Sequence, residues 1–336
     1  MAHTNIGNSF ATKTDTMKTS HHLFFYLIIM AILPLAMSCR KEAATGSAQS
    51  YACISDICLT RSGAASCYIG NADFFVYEDN ATGYLDSYLH LNNPGERVEI
   101  ASRSGNKRFV AIANAGDGTF IYNDIVSYEG LGSIYSHLSD EIPETPLMSG
   151  EASGRAGRDG LDLVLRPLMA RVRINSFFVD FIGKTYSASE FRNPRAYLIN
   201  VSGMYPVSGE YASPVEILNQ GCLDEISCNS MSRPDLLLCD DVTGHPLFCY
   251  PCNGTESGPG YCTTRLVVEG EIDGVTYYYP INVGGGKVER GQSYVYDITI
   301  TRPGMTDPDI PIEKTMAKVE MHIENWEEYD NETIYY

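Results

Sequence analysis

The chain reads as an all-β protein of two successive antiparallel β-sandwich domains behind an export signal. Three observations carry this. Short apolar and aromatic runs recur at strand length between clusters of Gly, Asn, Asp and Ser. No amphipathic stretch of helical period reaches about 12 residues. The 336 residues include 23 Tyr and 12 Phe, which suit a pleated, half-buried surface.

In the first half, strands are predicted at Ala72–Glu78, Tyr84–Leu91, Arg97–Ser102 and Lys107–Asn114, the last entered by a turn at Ser104-Gly105-Asn106. A short helix is expected between Leu131 and Leu138. Leu161, Leu163 and Leu165 alternate, as do Ala170, Val172 and Ile174. Pro167 between them lacks an amide hydrogen and should break or bulge the strand.

The second half is more regular. Ala196–Val201 is a strand. Arg265–Glu271 and Val275–Val283 flank Asp273-Gly274, a hairpin turn whose central positions need positive φ. Gly284-Gly285-Gly286-Lys287 has neither the first Gly nor the Ser or Thr of a phosphate loop and reads as a turn. Tyr294, Tyr296, Ile298 and Ile300 share one face of the next strand. Val319, Met321 and Ile323 share one face of the last, with Lys318, Glu320, His322 and Glu324 on the other.

The start carries a targeting signal. Met17-Lys18-Thr19-Ser20-His21-His22 is a basic opening, followed by 13 residues of apolar stretch from Leu23 to Leu35. That is too short to span a bilayer as a helix and right for a signal peptide. Leu35-Ala36-Met37-Ser38-Cys39 then resembles the lipobox of bacterial lipoproteins, in which the Cys is acylated. The expected organisation is a signal peptide over residues 1–38, with Met17 as the true start, and a lipidated tether over 39–62. A first sandwich over 63–165 and a second over 166–336 follow, the second with a Cys-rich loop region at 222–262.

Ten Cys are present. Lipidation of Cys39 leaves an odd number in an oxidising compartment. Cys222, Cys228, Cys239, Cys249, Cys252 and Cys262 are disulfide candidates. A metal site on Cys249, Cys252 and His245, or a redox pair at Cys249 and Cys252, is the sharper alternative. A single Cys-x-x-Cys lacks the second pair of a zinc finger, and no βαβ pattern surrounds it. A net charge of −18 excludes a nucleic-acid partner, which needs clustered Lys and Arg. No catalytic constellation, metal site or cofactor motif is recognised, so no enzyme activity and no cofactor are expected.

Several segments in order resemble the fimbrillin superfamily of Bacteroidia, the subunits of type V pili. They are Thr264–Glu271, Tyr277–Ile281, Val288–Tyr294, and Asp307-Pro308-Asp309 leading to a last strand that ends at Asn325-Trp326. Leu163–Ile174, Ala111–Asn114 and the lipobox add to the likeness. The resemblance implies two transthyretin-like sandwiches and assembly by strand addition between subunits. It also implies outer-membrane anchoring through Cys39, and in polymerising members a surface protease that cuts after an Arg near the start. Arg61 stands about where that cut would fall, and Val319, Met321 and Ile323 mark the candidate donor strand. Loss of Cys53 and Cys58 with the cut piece argues for an uncut anchor or accessory subunit. The expected role is a pilus anchor, tip or accessory lipoprotein whose partners are other subunits and the membrane. A non-polymerising surface lipoprotein that binds a glycan or host protein is the alternative.

Overall fold

The computed structural model describes residues 51–61, 68–116, 125–157, 160–184, 186–208, 216–219, 234–253, 263–310 and 312–326. The signal, Cys39 and most of the tether lie outside the described residues. The first half forms β1 (Ala52–Arg61), β2 (Asn71–Glu78), β3 (Leu85–Asn92), β4 (Arg97–Arg103), β5 (Asn106–Ala113), β6 (Tyr135–His137), β7 (Met148–Arg155) and β8 (Leu161–Pro167). Then come β9 (Ala170–Val179), β10 (Arg192–Ile199), β11 (Val201–Ser202), β12 (Met204–Pro206), β13 (Ile217–Leu218), β14 (Leu238–Cys239), β15 (Leu247–Cys249) and β16 (Cys252–Asn253). Last are β17 (Arg265–Ile272), β18 (Val275–Asn282), β19 (Lys287–Val288), β20 (Gln292–Ile300) and β21 (Ala317–Asn325).

A seven-stranded sheet runs β3-β2-β5-β7-β8-β1-β4. It curls over its own core. Ile57, Leu59, Val98, Ile100, Leu163 and Leu165 from one half meet Phe74, Val76, Phe109, Ala111 and Met148 from the other. β2 is apolar without a break from Phe74 to Tyr77, as a strand covered on both faces should be. Its Phe75 and Tyr77, with Val110 and Ile112 of β5, join a second and larger core. There β14-β10-β17-β18 and β15-β9-β20-β21 supply Ala196, Leu198, Leu266 and Val268 on one side and Val172, Ile174, Tyr296, Ile298 and Ile300 on the other.

Pro167 ends β8, and a new strand starts at Ala170, as its missing amide predicts. Asp273 and Gly274 turn with φ of 52° and 74°, the hairpin expected from that pair. The helix expected at Leu131–Leu138 is not formed there: that stretch holds β6, and a single helical turn precedes it at Tyr128–Gly132, capped by the Ser127 side chain accepting from the Gly130 amide.

Three further expectations are corrected. The sheets are not purely antiparallel: β1 runs parallel to β8 and β9 parallel to β20. Local alternation encodes which face a residue takes, not which strand becomes its neighbour. The second part of the supposed tether is a strand, β1. Its buried residues, Ser55, Ile57 and Leu59, are few and interleaved with polar ones, so they blend with the small polar residues before them. The last strand buries Ala317 on its inner face but leaves Met321 37% and Ile323 56% exposed.

A buried charge cluster closes one end of the first core. Lys107 is fully buried, with Nζ 2.6 Å from Glu78 Oε1 and 2.9 Å from Asp86 Oδ2. Arg103 donates to both oxygens of Asp86, from Nε at 2.5 Å and from its amide at 2.7 Å. Burial alone pushes Asp86 up. The bonds from Lys107 and Arg103 outweigh it and hold the carboxyl below its ordinary 3.8. The stability this carries is present above the unfolded-state value and is lost as pH falls through the lower folded value. Lys107→Met leaves the buried Asp86 with Arg103 as its remaining cation and leaves Glu78 without one. Urea titration at neutral pH should show a loss of about 3–5 kcal/mol, with the native protein's own acid loss much reduced in the variant.

Candidate functional site

β1 is the first described strand, yet it lies inside the sheet. It pairs antiparallel with β4 from Ala52↔Arg103 to Cys58↔Arg97 and parallel with β8 from Ile57↔Leu161 to Arg61↔Leu165. Ile57 and Leu59 point into the core at 0% and 7% exposure and contribute roughly 4 kcal/mol of burial together. Two polar contacts fix the strand's register. Ser55 Oγ accepts from the Gly157 amide at 3.0 Å. Asp56 Oδ2 accepts from Arg97 at 2.9 Å. Arg61 is the exposed last residue of the strand. Cys53 and Cys58 are half-buried free thiols. The objection that a cut after Arg61 would discard paired cysteines therefore falls away.

β8 depends on β1 more than on its other neighbour. β7 pairs with β8 only at Met148↔Pro167 and Ser149↔Arg166. Beyond that, Gly150 brings its backbone so close to Val164 that a Cβ would meet the carbonyl oxygen at 2.2 Å. Arg290, from the turn between β19 and β20, holds this junction. Its guanidinium donates to Ser149 O at 2.7 Å, Arg166 O at 2.6 Å and Pro167 O at 3.3 Å, and to Ser149 Oγ at 3.0 Å. Burial pushes Arg290 down to about 10. The Arg-Gly pair at 290–291 was legible as a motif, but its target, three carbonyls of the other half, was not.

The candidate donor strand β21 is an edge. Among the described residues it pairs only with β20, from Gln292↔Asn325 to Ile300↔Ala317. Val319, Met321 and Ile323 lie opposite the buried Ile298, Tyr296 and Tyr294, so the alternation is real. Among the described residues, its far half from Met321 to Asn325 is exposed. Trp326 follows and is buried, its ring 5.7 Å from Phe248 and under the Arg171 guanidinium.

The Cys-rich region departs from expectation. Cys239, Cys249 and Cys252 are buried free thiols, so the disulfides expected at these three are not formed. Cys222, Cys228 and Cys262 lie outside the described residues. His245 Nδ1 sits 3.3 Å from Cys239 Sγ rather than beside Cys249 and Cys252. Burial pushes the Cys239 thiol up, and bonding to His245 outweighs this and lowers it. Among the described residues no group of three or more His, Cys, Asp or Glu is placed to hold a metal. These thiols are core side chains of β14, β15 and β16. Glu141, also buried, accepts from Tyr250 Oη at 2.9 Å and the Leu147 amide at 3.1 Å. Burial lifts it to about 7. It borders a cavity of about 420 Å³ lined by Tyr68, Asn71, Asn114 and Tyr135.

No family model matches the chain, and no curated relative does. Solved structures do. A fimbrilin of Porphyromonas gingivalis W83 superposes with a TM-score of 0.61 at 13% identity, over 82% of this chain and 97% of that one. The fold is that of the fimbrillins. A candidate cell adhesion protein of Parabacteroides distasonis gives 0.61 at 15% identity, over 82% and 99%. A tip fimbrial protein of P. gingivalis with a C-terminal truncation gives 0.54 at 12%, over 82% and 100%. The fimbrillin fold of this chain thus combines an N-terminal strand bonded on both sides with a C-terminal strand bonded on one. Arg290→Lys keeps the charge but loses the fork that reaches several carbonyls at once. Chemical denaturation should show a loss of about 2 kcal/mol, larger than for Arg97→Lys at the exposed pair.

Proposed function

We propose that the chain is a structural subunit of a cell-surface pilus, delivered as a lipoprotein and joined to its neighbours by strand exchange. The observation that carries this is the placement of β1. It ends at Arg61, fills an interior place in the sheet and has no disulfide to the rest. Acylation of Cys39 would hold the uncut chain at the outer membrane through a short tether, with β1 closing its own groove. A cut after Arg61 would release the lipid and β1 on one fragment. The groove between β4 and β8 would then be open to a neighbour's strand, main-chain bonds giving affinity and alternate side-chain sites giving specificity. β21 suits the donor role because among the described residues it leaves only one partner strand, and it carries Met321 and Ile323 partly exposed. The uncut, lipidated form is the anchor or accessory state. The cut form is the one that accepts a neighbour. The role is structural and adhesive rather than catalytic.

The test uses the full mature chain with a specific protease site inserted after Arg61. Cutting should convert monomers into discrete oligomers by size-exclusion chromatography. Excess peptide Ala52–Arg61 should suppress them by refilling the groove. A cut chain that stays monomeric after its β1 fragment has been removed contradicts the proposal.

A further inference from the structure

We propose that the cleft beside the β7–β8 junction binds a carboxylate of monosaccharide size, the chemistry of a uronic acid residue in a surface glycan. Arg290, Arg166, Ser149 and Ser208 would hold the carboxylate, and Glu151 would accept from a sugar hydroxyl. The site goes beyond the strand-exchange reading and does not depend on it.

The cleft has a volume of about 380 Å³, within the roughly 300–1,000 Å³ of small-molecule sites. Ser149 and Glu151 of β7 line it with Val164 and Arg166 of β8. Ser208, two residues beyond β12, and Arg290, in the turn before β20, add to the wall. Its polar lining carries donors that the chain itself does not use. Arg290 is half-buried, and its Nε and Nη2 go to three carbonyls and Ser149 Oγ. Among the described residues its Nη1 has no acceptor, and no carboxylate stands within ion-pair distance. Burial pulls Arg290 down, and the charge on Arg166 pulls the same way. The Arg166 side chain is exposed and has no hydrogen bond or ion pair among the described residues. Ser149 Oγ accepts from Arg290 at 3.0 Å, so its own proton is left over. Ser208 is 4% exposed, and its buried Oγ bonds to nothing.

That set selects the ligand. Two guanidinium groups and two hydroxyls are four donor groups, so the ligand must be rich in acceptors. A charge bonded only to carbonyls is left uncompensated in a partly buried place. A carboxylate there makes charge-assisted bonds to a planar fork, about twice as strong as neutral ones. Two guanidiniums against the one carboxylate of Glu151 leave a single positive charge over, which matches a monoanion. A phosphate dianion would exceed that charge and be repelled by Glu151.

The cleft is larger than a bare ion, so the carboxylate belongs to a larger body. No lining residue is aromatic, and the exposed apolar side chain among them is Val164, at 38%. Little there would bury an apolar body, and a body polar all round fits better. Glu151 supplies the complementary acceptor. Its Oε2 takes the Tyr128 hydroxyl at 2.6 Å, which fixes the side chain and leaves Oε1 for a ligand hydroxyl.

The test titrates the full mature chain, uncut at Arg61, with glucuronate by nuclear magnetic resonance, with glucose as the neutral control. Glucuronate should bind saturably and glucose should not. Arg166→Gln changes an exposed side chain without partners, so it should fold as the parent does and weaken binding about tenfold or more. Ser208→Ala removes a buried hydroxyl that bonds to nothing. Urea titration should show no loss of stability, while glucuronate binding falls roughly fivefold. Glucose binding as tightly as glucuronate, or unchanged affinity in Arg166→Gln, overturns the carboxylate site. Tighter binding of inorganic phosphate overturns the monoanion, and tighter binding of a short glutamate-containing peptide overturns the sugar. Absence of saturable glucuronate binding overturns the proposal as a whole. The uncut monomer is used throughout, so none of these results bears on whether a cut chain assembles.

Discussion

A strand inside a sheet must satisfy its backbone on both edges, and the first half of this protein is organised around that requirement at β1. β4 and β8 barely meet other strands where β1 lies between them. β4 is otherwise an edge, and β8 shares ladder pairs with β7 at only two positions, although the two strands stay close beyond them, where Gly150 lies against Val164. The inward residues of β1 then close the core beneath Ile100 and Leu163. Main-chain pairing, apolar burial and two polar contacts thus converge on one ten-residue strand. No covalent tie holds it beyond its own ends.

The buried charges serve the same architecture. Lys107 and Asp86 are buried together at the far end of that core, with the exposed Arg103 bonded to Asp86 from outside. Arg290 ties the β7–β8 junction from outside the ladder, donating to the carbonyls of Ser149, Arg166 and Pro167. Each group is expensive to bury and is retained with its partners in place. The result is a first sheet anchored to the second half at one edge of β8, while β8's other edge relies on β1 alone. β21 presents the complementary case. It has one bonded edge and an apolar face that its own domain does not fully cover, with the buried Trp326 pinning its end.

Much of this was legible in the sequence. The strands from β2 to β5, the break at Pro167, the hairpin at Asp273-Gly274 and the inward row from Tyr294 to Ile300 follow from period and turn chemistry, which are local properties. What was hidden is non-local. β1 carries only Ser55, Ile57 and Leu59 inward, too weak a pattern beside its polar neighbours. β7, Met148–Arg155, is rich in Gly and Ser and reads as a loop until its partner is known. The parallel pairs join strands about a hundred residues apart in sequence, beyond the reach of local alternation. At Cys239, Cys249 and Cys252 the expected staples are absent: spacing among Gly and Pro suggests disulfides, whereas these three are buried thiols, Cys249 and Cys252 packed as small apolar side chains and Cys239 beside His245.

Hydrogen exchange on the chain before and after a cut at Arg61, with the β1 fragment removed, tests the central claim most directly. Amides of β4 and β8 should lose their protection while those of β9, β17 and β20 keep theirs, showing one vacated place in an otherwise standing fold. Loss of protection across both halves would contradict the account, because β1 would then be a strand the protein cannot release.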